Sequence, residues 1–337
     1  MNRLRELTAR LLDVAASQEE LTQTCADLHA WFVQTVPLQV LADVPMQLPG
    51  GLALAPGAAA QCIFDTLRTV RFVRGVALAL DEARRRFPHE AIEVVYAGSG
   101  PYAPLLLPLL SLRPLHDVRL TLLDCHQPAI DSLHVLLARL GLESAVQVVH
   151  CDAACYTHER PIHLVVTETL QRALAREPFL PIVRNLRGQL APSGLLVPER
   201  VTVGAALVDA AAEQRSWIDP AQPRQHEYLG LVFEVTLAGE HPLVDASGRS
   251  QAVSITLPDW HSDGERWLAL ITRIDVFGDQ FLGDNESGLT VPEILWPLAP
   301  VRTGDVIRFQ YVLDSNPGVR SKRIPDPGEQ QGTLPSH

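Results

Sequence analysis

Two glutamates lie close together after an apolar run in the middle of the chain. Glu168 ends the run IHLVVTE, and Glu177 follows nine positions later. Carboxylates match the planar donor fork of a guanidinium group in bidentate geometry. A pair of them therefore predicts a site for a cationic nitrogen group. The alternative is that Glu168 caps the next helical segment and that Glu177 is a solvated residue, or the N-terminal residue of a helix, before Pro178.

A second candidate site is the stretch VVYAGSGPYAP, in which Gly98, Ser99 and Gly100 follow an apolar run. Glycines let the backbone turn tightly and approach a ligand closely. Asp124 ends the run VRLTLLD, 24 positions after Gly100, where an acidic side chain can accept hydrogen bonds from a ribose. Asp152 ends VQVVHCD and would bind an adenine amino group. The alternatives are a helix cap or turn residue for Asp124 and a solvated turn residue for Asp152.

The apolar runs that carry these residues alternate with helical patterns. The runs IEVVYAG, VRLTLLD, VQVVHCD and IHLVVTE are separated by YAPLLLPLLSL, PAIDSLHVLLARLG and PFLPIVRNLRGQL. Such alternation predicts βαβ units and a mostly parallel sheet, in which ligands bind outside the carboxyl ends of the strands. A single helix is predicted over residues 58–87, before the first strand. A nicotinamide or flavin dinucleotide and S-adenosylmethionine (AdoMet) are the cofactors that this arrangement leaves open.

The whole chain predicts an α/β protein with four parts. Residues 1–60 form an N-terminal helical segment, and residues 61–198 form a Rossmann-like domain. After residue 199 the helical patterns fade and short apolar or alternating runs predict strands, so residues 199–320 form a β-barrel-like domain. Residues 321–337 are polar and rich in proline and glycine, which is typical of a loose tail.

The order of glycine turn, ribose-binding acid and third-strand acid resembles the class I AdoMet-dependent methyltransferases. Within that class, the spacing E-x8-E resembles the double-glutamate loop of the protein arginine methyltransferases. FDTLRTVRFVRG resembles the helix before the first strand of that family, RGQLAPSGLLVPERVTV its passage into the β-barrel, and LWPLAPVRTGDVIRF a strand and turn near the end of the barrel. The resemblance covers about residues 62–315.

The resemblance implies a role for each candidate residue. Glu168 and Glu177 would be the catalytic residues that hold a guanidinium, and Arg68 would pair with the carboxylate of AdoMet. A surface ion pair with Asp65 is the alternative for Arg68. The other cofactor-binding residues would be Gly98, Ser99, Gly100, Asp124 and Asp152.

Two departures from the family pattern bear on the substrate. Thr290 is followed by Val291 and Pro292, where the family has a Thr-His-Trp loop, and the family's dimerisation arm is not recognisable around SWIDPAQPRQHEYLG. We therefore expect a small-molecule guanidino substrate, such as free L-arginine. A protein arginine methyltransferase is the first alternative. Because GSGPYAP also resembles the glycine turn of nicotianamine-synthase-like enzymes, aminobutyl transfer from AdoMet is another, as is an AdoMet-binding protein without activity.

Composition limits the partners and the location. The net charge of −11 gives no electrostatic reason to bind nucleic acid or an anionic membrane, and we expect a cytoplasmic protein. The five cysteines are unevenly spaced, which argues against a disulfide framework. A zinc site at Cys151 and Cys155, flanked by His150 and His158, is the alternative to our expectation of no metal. A homodimer formed through the N-terminal helices is left open.

Overall fold

The computed structural model describes residues 2–36, 44–112, 117–218, 226–237, 243–260, 264–298 and 301–325. The N-terminal part consists of helices α1 (Asn2–Leu12) and α2 (Gln18–Thr35), a hairpin of strands β1 (Met46–Leu48) and β2 (Gly51–Ala53), and helix α3 (Pro56–Gln61). Helix α2 begins with a capping box, in which Ser17 and Glu20 each bind the other's backbone N–H. The helices expected at the N-terminus are therefore present, with a hairpin after them.

The helix predicted over residues 58–87 is divided in two. Helix α3 ends at Gln61, a 3₁₀ turn follows, and helix α4 (Thr66–Arg86) begins after Asp65. The Asp65 side chain accepts the backbone N–H of Arg68 at 3.3 Å and so caps α4. Because of this break, Arg68 lies in the first turn of α4 rather than in the middle of a longer helix.

The parallel sheet has five strands in the order β5-β4-β3-β6-β7. They are β3 (Ile92–Ala97), β4 (Val118–Asp124), β5 (Val146–His150), β6 (Ile162–Thr167) and β7 (Leu190–Val197), and every neighbouring pair is parallel. Helices α5 (Gln127–Leu140) and α6 (Phe179–Arg187) lie between strands. All residues of β3 and β6 are buried, as expected for a sheet covered on both faces. The predicted Rossmann-like sheet is confirmed.

One predicted helix of this domain is much shorter than expected. The run YAPLLLPLLSL forms only a 3₁₀ helix, Leu107–Ser111. Pro104 and Pro108 interrupt the run, and proline lacks the N–H that an α-helical ladder requires. The segment after the glycine turn is therefore compact rather than an extended helix.

The C-terminal part is rich in strands, as expected, and the structure pairs these strands antiparallel. One sheet contains β8 (Arg200–Asp209), β9 (His226–Thr236), β11 (Arg266–Phe277), β12 (Gln280–Leu282) and β13 (Glu293–Ile294). The other contains β10 (Val253–Thr256), β14 (Val306–Val312) and β15 (Gly318–Ile324). The rings of Phe233 and Tyr311 stack between the sheets, with centroids 4.4 Å apart. We call these two sheets the β-module.

Two segments of the C-terminal part differ from what the sequence predicted or left undefined: the expected loose tail and the segment where a dimerisation arm was sought. Strand β15 pairs with β14 as far as Ile324, so it extends into the residues assigned to a loose tail; residues 326–337 lie outside the described residues. Where the dimerisation arm of the family was sought, the chain forms helix α7 (Ala210–Ile218). Residues 219–225 of that segment lie outside the described part of the chain.

One large apolar core joins the three parts, and a smaller cluster lies apart from it in the β-module. The large core includes Leu28 of α2, Val94 of β3 and Tyr311 of β14. The carboxyl edge of the parallel sheet is therefore packed between the N-terminal segment and the β-module. Among the described helices, none has both the length and the apolar character needed to cross a bilayer.

Candidate active site

One cleft at the carboxyl edge of the parallel sheet is lined by all eight residues that the sequence singled out. They are Arg68, Gly98, Ser99, Gly100, Asp124, Asp152, Glu168 and Glu177. Positions far apart in the sequence thus meet in one place, because parallel strands end at a common edge.

The glycine turn, residues 98–100, follows β3. Gly98 and Gly100 have φ of +67° and +63°, a backbone region that L side chains rarely adopt. A Cβ added to Gly98 would lie 2.1 Å from Cγ2 of Thr169. The N–H groups of Gly98 and Ser99 both donate to the Leu123 carbonyl, at 2.9 and 3.0 Å. Position 98 therefore requires glycine on two grounds, its φ and the close approach of Thr169.

Asp124 holds the glycine turn in place. Its Oδ2 accepts the N–H of Gly100 and its Oδ1 accepts the N–H of His126, both at 2.9 Å. A carboxylate oxygen can accept more than one hydrogen bond, so these contacts leave capacity for a ligand hydroxyl. The turn-stabilising role that we gave as the alternative is present, and the residue also lines the cleft.

Asp152 lies just after β5, where it is half-buried. Its Oδ1 accepts the N–H of Ala154 at 2.9 Å. The carboxylate therefore stabilises its own turn while lining the cleft.

Glu168 and Arg68 form a largely buried ion pair, with 8% and 13% of their side chains exposed. The Arg68 guanidinium donates to Oε2 of Glu168, and Oε1 of Glu168 is buried with no hydrogen-bond partner among the described residues. Burial raises the pKa of Glu168 to about 7, against the opposing charge of Arg68. Arg68 is thus not a surface residue paired through its guanidinium with Asp65, which accepts only its backbone N–H.

Glu177 is also buried, with 7% of its surface exposed. Burial, and then the negative charge of Glu168, raise the pKa of Glu177 to about 8. The interaction with Arg68 and a hydrogen bond from Gln171 act in the opposite direction but are smaller. The positive charge of Arg68 thus acts on two carboxylates, Glu168 and Glu177. A bound cation would neutralise the negative charge that Arg68 leaves uncompensated.

The backbone between these glutamates is unusual. We call residues 168–177 the carboxylate loop. Ala173, Leu174 and Arg176 have φ of +56°, +52° and +67°, although none is glycine. The N–H of Glu177 donates to the Ala175 carbonyl at 2.7 Å, which closes a γ-turn around Arg176. A γ-turn with positive φ is rare and strained, so the conformation that precedes Glu177 is held by its surroundings.

The N-terminal hairpin lies against the carboxylate loop. The N–H of Leu52 donates to the Arg176 carbonyl at 2.7 Å. A Cβ added to Gly51 would lie 2.8 Å from the backbone carbon of Glu177, so only glycine permits this approach. Leu48 and Ala53 of the hairpin line the cleft. The chain's own hairpin therefore encloses the cleft at the Glu177 end.

The segment that replaces the Thr-His-Trp loop contacts the start of α4. The Ser287 hydroxyl and the N–H of Gly288 donate to Oδ2 of Asp65, at 2.7 and 3.0 Å. Thr290 is fully buried. Histidine and tryptophan are thus absent, but the segment is fixed to the helix that carries Arg68.

His126 is a cleft residue that the sequence arguments missed. It is buried, its Nδ1 lies 3.4 Å from Oδ1 of Asp124, and its Nε2 has no partner among the described residues. Hydrogen bonds with Asp124 and then Cys125 raise the pKa of His126 to about 10. The only sequence signal was its place immediately after Cys125 in LLDCH. Cys62 lines the same cleft as Arg68, Glu168 and Glu177. The sequence analysis missed it as well, because it did not predict the break between α3 and α4.

The two histidines considered as zinc ligands make hydrogen-bond contacts with different residues. His150 Nε2 lies 2.9 Å from the Cys125 carbonyl, and His158 contacts Tyr156 and Glu93. Among the described residues, the three neighbours Asp124, Cys125 and His126 have donor atoms within 4.8 Å of one another. Because both oxygens of Asp124 accept backbone N–H groups, hydrogen bonds account for this cluster.

The comparisons with known proteins add likenesses in structure only. No protein-family model matches the sequence, and no curated protein is significantly similar to it. The fold is similar to a chain of the Trypanosoma brucei PRMT1 enzyme–prozyme heterotetrameric complex with AdoHcy (12% identity, TM-score 0.48, covering 80% of this chain and 98% of that one). It is also similar to Arabidopsis thaliana protein arginine methyltransferase 10, in a uniquely open conformation (12% identity, TM-score 0.49, covering 75% of this chain and 86% of that one).

Likenesses at this level decide nothing about activity. The topology and the cleft define a Rossmann-like α/β protein with an appended β-module. The cleft holds a glycine turn and an aspartate at one end and two buried carboxylates at the other.

Proposed function

We propose that the protein is an AdoMet-dependent N-methyltransferase that acts on a guanidino group, with free L-arginine or an arginine-like small molecule as its substrate. The observation that carries this proposal is the buried pair of Glu168 and Glu177 in the same cleft as the glycine turn. Buried carboxylates are costly unless a cation or a proton compensates them. The pair therefore supports a cationic ligand at that end of the cleft.

The residues at the other end fit AdoMet. The glycine turn allows close backbone approach, and Asp124 retains acceptor capacity for ribose hydroxyls. The unpartnered Nε2 of His126 is a buried polar atom that a bound nucleoside would satisfy. Arg68 is a buried cation that the methionine carboxylate would share with Glu168. Bound AdoMet would supply an electrophilic methyl group.

The two glutamates would prepare the nitrogen for this chemistry. A guanidinium stays protonated and its lone pairs are delocalised, so it is a poor nucleophile. Glu168 and Glu177 would accept hydrogen bonds from its donor fork and draw positive charge toward the nitrogens they contact. Orientation alone can contribute up to about 7–11 kcal/mol. A carboxylate with a pKa near 7–8 is also suited to accept the proton that leaves the nitrogen.

The small-molecule substrate is supported by the walls of the cleft. The hairpin places Leu48 and Ala53 at the cleft and packs its backbone on that of Glu177. Residues of this chain thus occupy space beside the carboxylates that a polypeptide substrate would need. The absence of the Thr-His-Trp sequence supports the same conclusion.

The test is to incubate the protein with AdoMet and either free L-arginine or a Gly/Arg-rich peptide. We expect methylated arginine and S-adenosylhomocysteine, detected by mass spectrometry, and much less product from the peptide. Glu177→Gln is the matched control, because it keeps the shape of the side chain and removes its charge.

Each other outcome would favour a named alternative. Methylation of the peptide but not of free arginine would favour a protein arginine methyltransferase. Methylthioadenosine in place of S-adenosylhomocysteine would favour aminobutyl transfer. Binding of AdoMet without turnover of any guanidino compound would favour a non-catalytic protein.

A further inference from the structure

The carboxylate loop has a conformation that its own sequence does not favour. Left-handed φ is sterically unfavourable for an L-residue that has a side chain, and the loop contains three such residues, Ala173, Leu174 and Arg176. Backbone strain of this kind persists only where the surroundings determine it. The contacts that hold these three residues are therefore the contacts that determine where Glu177 lies.

Each strained residue is bound by a different piece of the β-module. The N–H of Ala173 donates to Oγ1 of Thr272 on β11 at 2.7 Å. The Tyr311 hydroxyl on β14 donates to the Leu174 carbonyl at 3.0 Å. The N–H of Arg176 donates to the Pro317 carbonyl, in the turn before β15, at 2.9 Å.

Two of the three contacts are made by buried side chains. Thr272 is fully buried and Tyr311 is 1% exposed, so each hydroxyl is held without competition from water. Burial raises the pKa of Tyr311 above its ordinary value, so the hydroxyl stays a donor across the physiological range. The Tyr311 ring is fixed in turn by stacking on Phe233.

We propose that Thr272 and Tyr311 are positioning residues that hold the carboxylate loop in its left-handed conformation and so aim Glu177 at the guanidino substrate. This inference rests on the proposed function, and it gives the β-module a defined role in turnover. Neither hydroxyl touches the substrate; each acts through the loop backbone. The glycine turn is held by Leu123 and Asp124 instead, so cofactor binding does not depend on these hydroxyls.

The test uses Tyr311→Phe and Thr272→Val in the full chain, singly and combined. We expect kcat/KM for the guanidino substrate to fall about ten- to a hundredfold, because small displacements of catalytic groups have effects of that size. The Kd for AdoMet should stay within about twofold of the unaltered protein, since these hydroxyls do not contact the glycine turn. Thr272→Ser keeps a hydroxyl and should restore most of the activity. Tyr156→Phe, which removes a hydroxyl that bonds His158 instead, is the matched control.

The pH profile separates positioning from general loss of structure. A loosened loop would admit water to Glu177, and its pKa, now about 8 because of burial, would fall. The acidic limb of kcat/KM against pH should therefore move to lower pH in Tyr311→Phe. A variant that is only less stable would keep the limb where it is in the folded fraction.

Hydrogen–deuterium exchange of the peptide that covers residues 168–177 tests the same inference without activity. We expect its exchange to be at least about tenfold faster in the double variant, because the amide of Ala173 loses its partner Thr272 and the loosened loop exposes its other amides to water. Unchanged exchange together with unchanged kinetics would overturn the inference. If the unaltered protein turns over no guanidino compound but exchange accelerates as expected, the proposed function fails while the hold on the loop stands.

Discussion

Two turns at the same edge of the parallel sheet solve one geometric problem in different ways. The glycine turn after β3 and the carboxylate loop after β6 both need left-handed backbone. The first adopts it at Gly98 and Gly100, and the second at Ala173, Leu174 and Arg176. Glycine adopts positive φ without a steric penalty, whereas the other residues require contacts from elsewhere.

The difference shows how the work of the molecule is divided. The glycine turn is held by the neighbouring strand of the parallel sheet, through hydrogen bonds to Leu123 and Asp124. The carboxylate end depends on three distant parts: the hairpin, β11 and β14. Changes in the β-module should therefore affect the carboxylates before they affect the glycine turn.

The largest effect is expected in stability when the buried ion pair is broken. Arg68→Met leaves the ionised carboxylate of Glu168 without its charged partner, and such a loss costs about 3–5 kcal/mol at pH 8. Glu177→Gln removes the second, uncompensated carboxylate and should stabilise the protein at pH 8. Because its folded pKa is raised to about 8, Glu177 lowers stability progressively as pH rises from its unfolded pKa through 8. Urea unfolding of both variants at pH 5 and pH 8 measures the contrast, and equal shifts in both would contradict it.

The next largest effect is on turnover. Glu177→Gln should reduce kcat about 10²–10³-fold, as loss of one preorganised electrostatic contact does. The Kd for AdoMet should change little, because Glu177 is not part of the glycine-turn end of the cleft. Calorimetry with AdoMet and single-turnover assays separate the two quantities. Turnover at the unaltered rate would remove Glu177 from the catalytic site.

A smaller effect is expected where the two turns touch. Gly98→Ala adds left-handed strain and a contact 2.1 Å from Thr169, so it should cost about 1–3 kcal/mol beyond the strain alone. Gly141→Ala is the matched control, because Gly141 has φ of +68° and nothing within 4 Å of the added Cβ. Thermal unfolding of both variants gives the difference. Equal losses of stability in the two variants would mean that the Thr169 side chain moves away from the added Cβ at no cost.

The smallest effect is the pH dependence of the unaltered protein. With carboxyl pKa values near 7 and 8, kcat/KM for a guanidino substrate should rise about tenfold from pH 7 to pH 8. The rise follows the deprotonation that creates the anionic site. The Kd for AdoMet should rise or fall much less over the same range. A flat rate profile would mean that both carboxyls are already ionised at pH 7.

The sequence by itself determined the frame of the site. Four apolar runs end in Gly98, Asp124, Asp152 and Glu168, and their alternation with helical patterns predicts parallel strands, whose carboxyl ends share one edge. The α/β class, the strand-rich part after residue 199 and the polar residues at the strand ends follow from these local patterns. Hydrophobic periodicity and glycine turns can be recognised in the sequence because they depend on only a few neighbouring residues.

Only the tertiary structure decided the chemistry at the carboxylate end. The burial that raises the pKa of Glu177, the partner of Arg68 and the unpartnered Nε2 of His126 depend on groups that are far apart in the chain or on their exclusion from water. The left-handed φ at Ala173 and Leu174 has no local signal, because those residues favour other conformations on their own. Contacts from Thr272 and Tyr311 impose it, and such contacts exist only once the strands that carry them have packed.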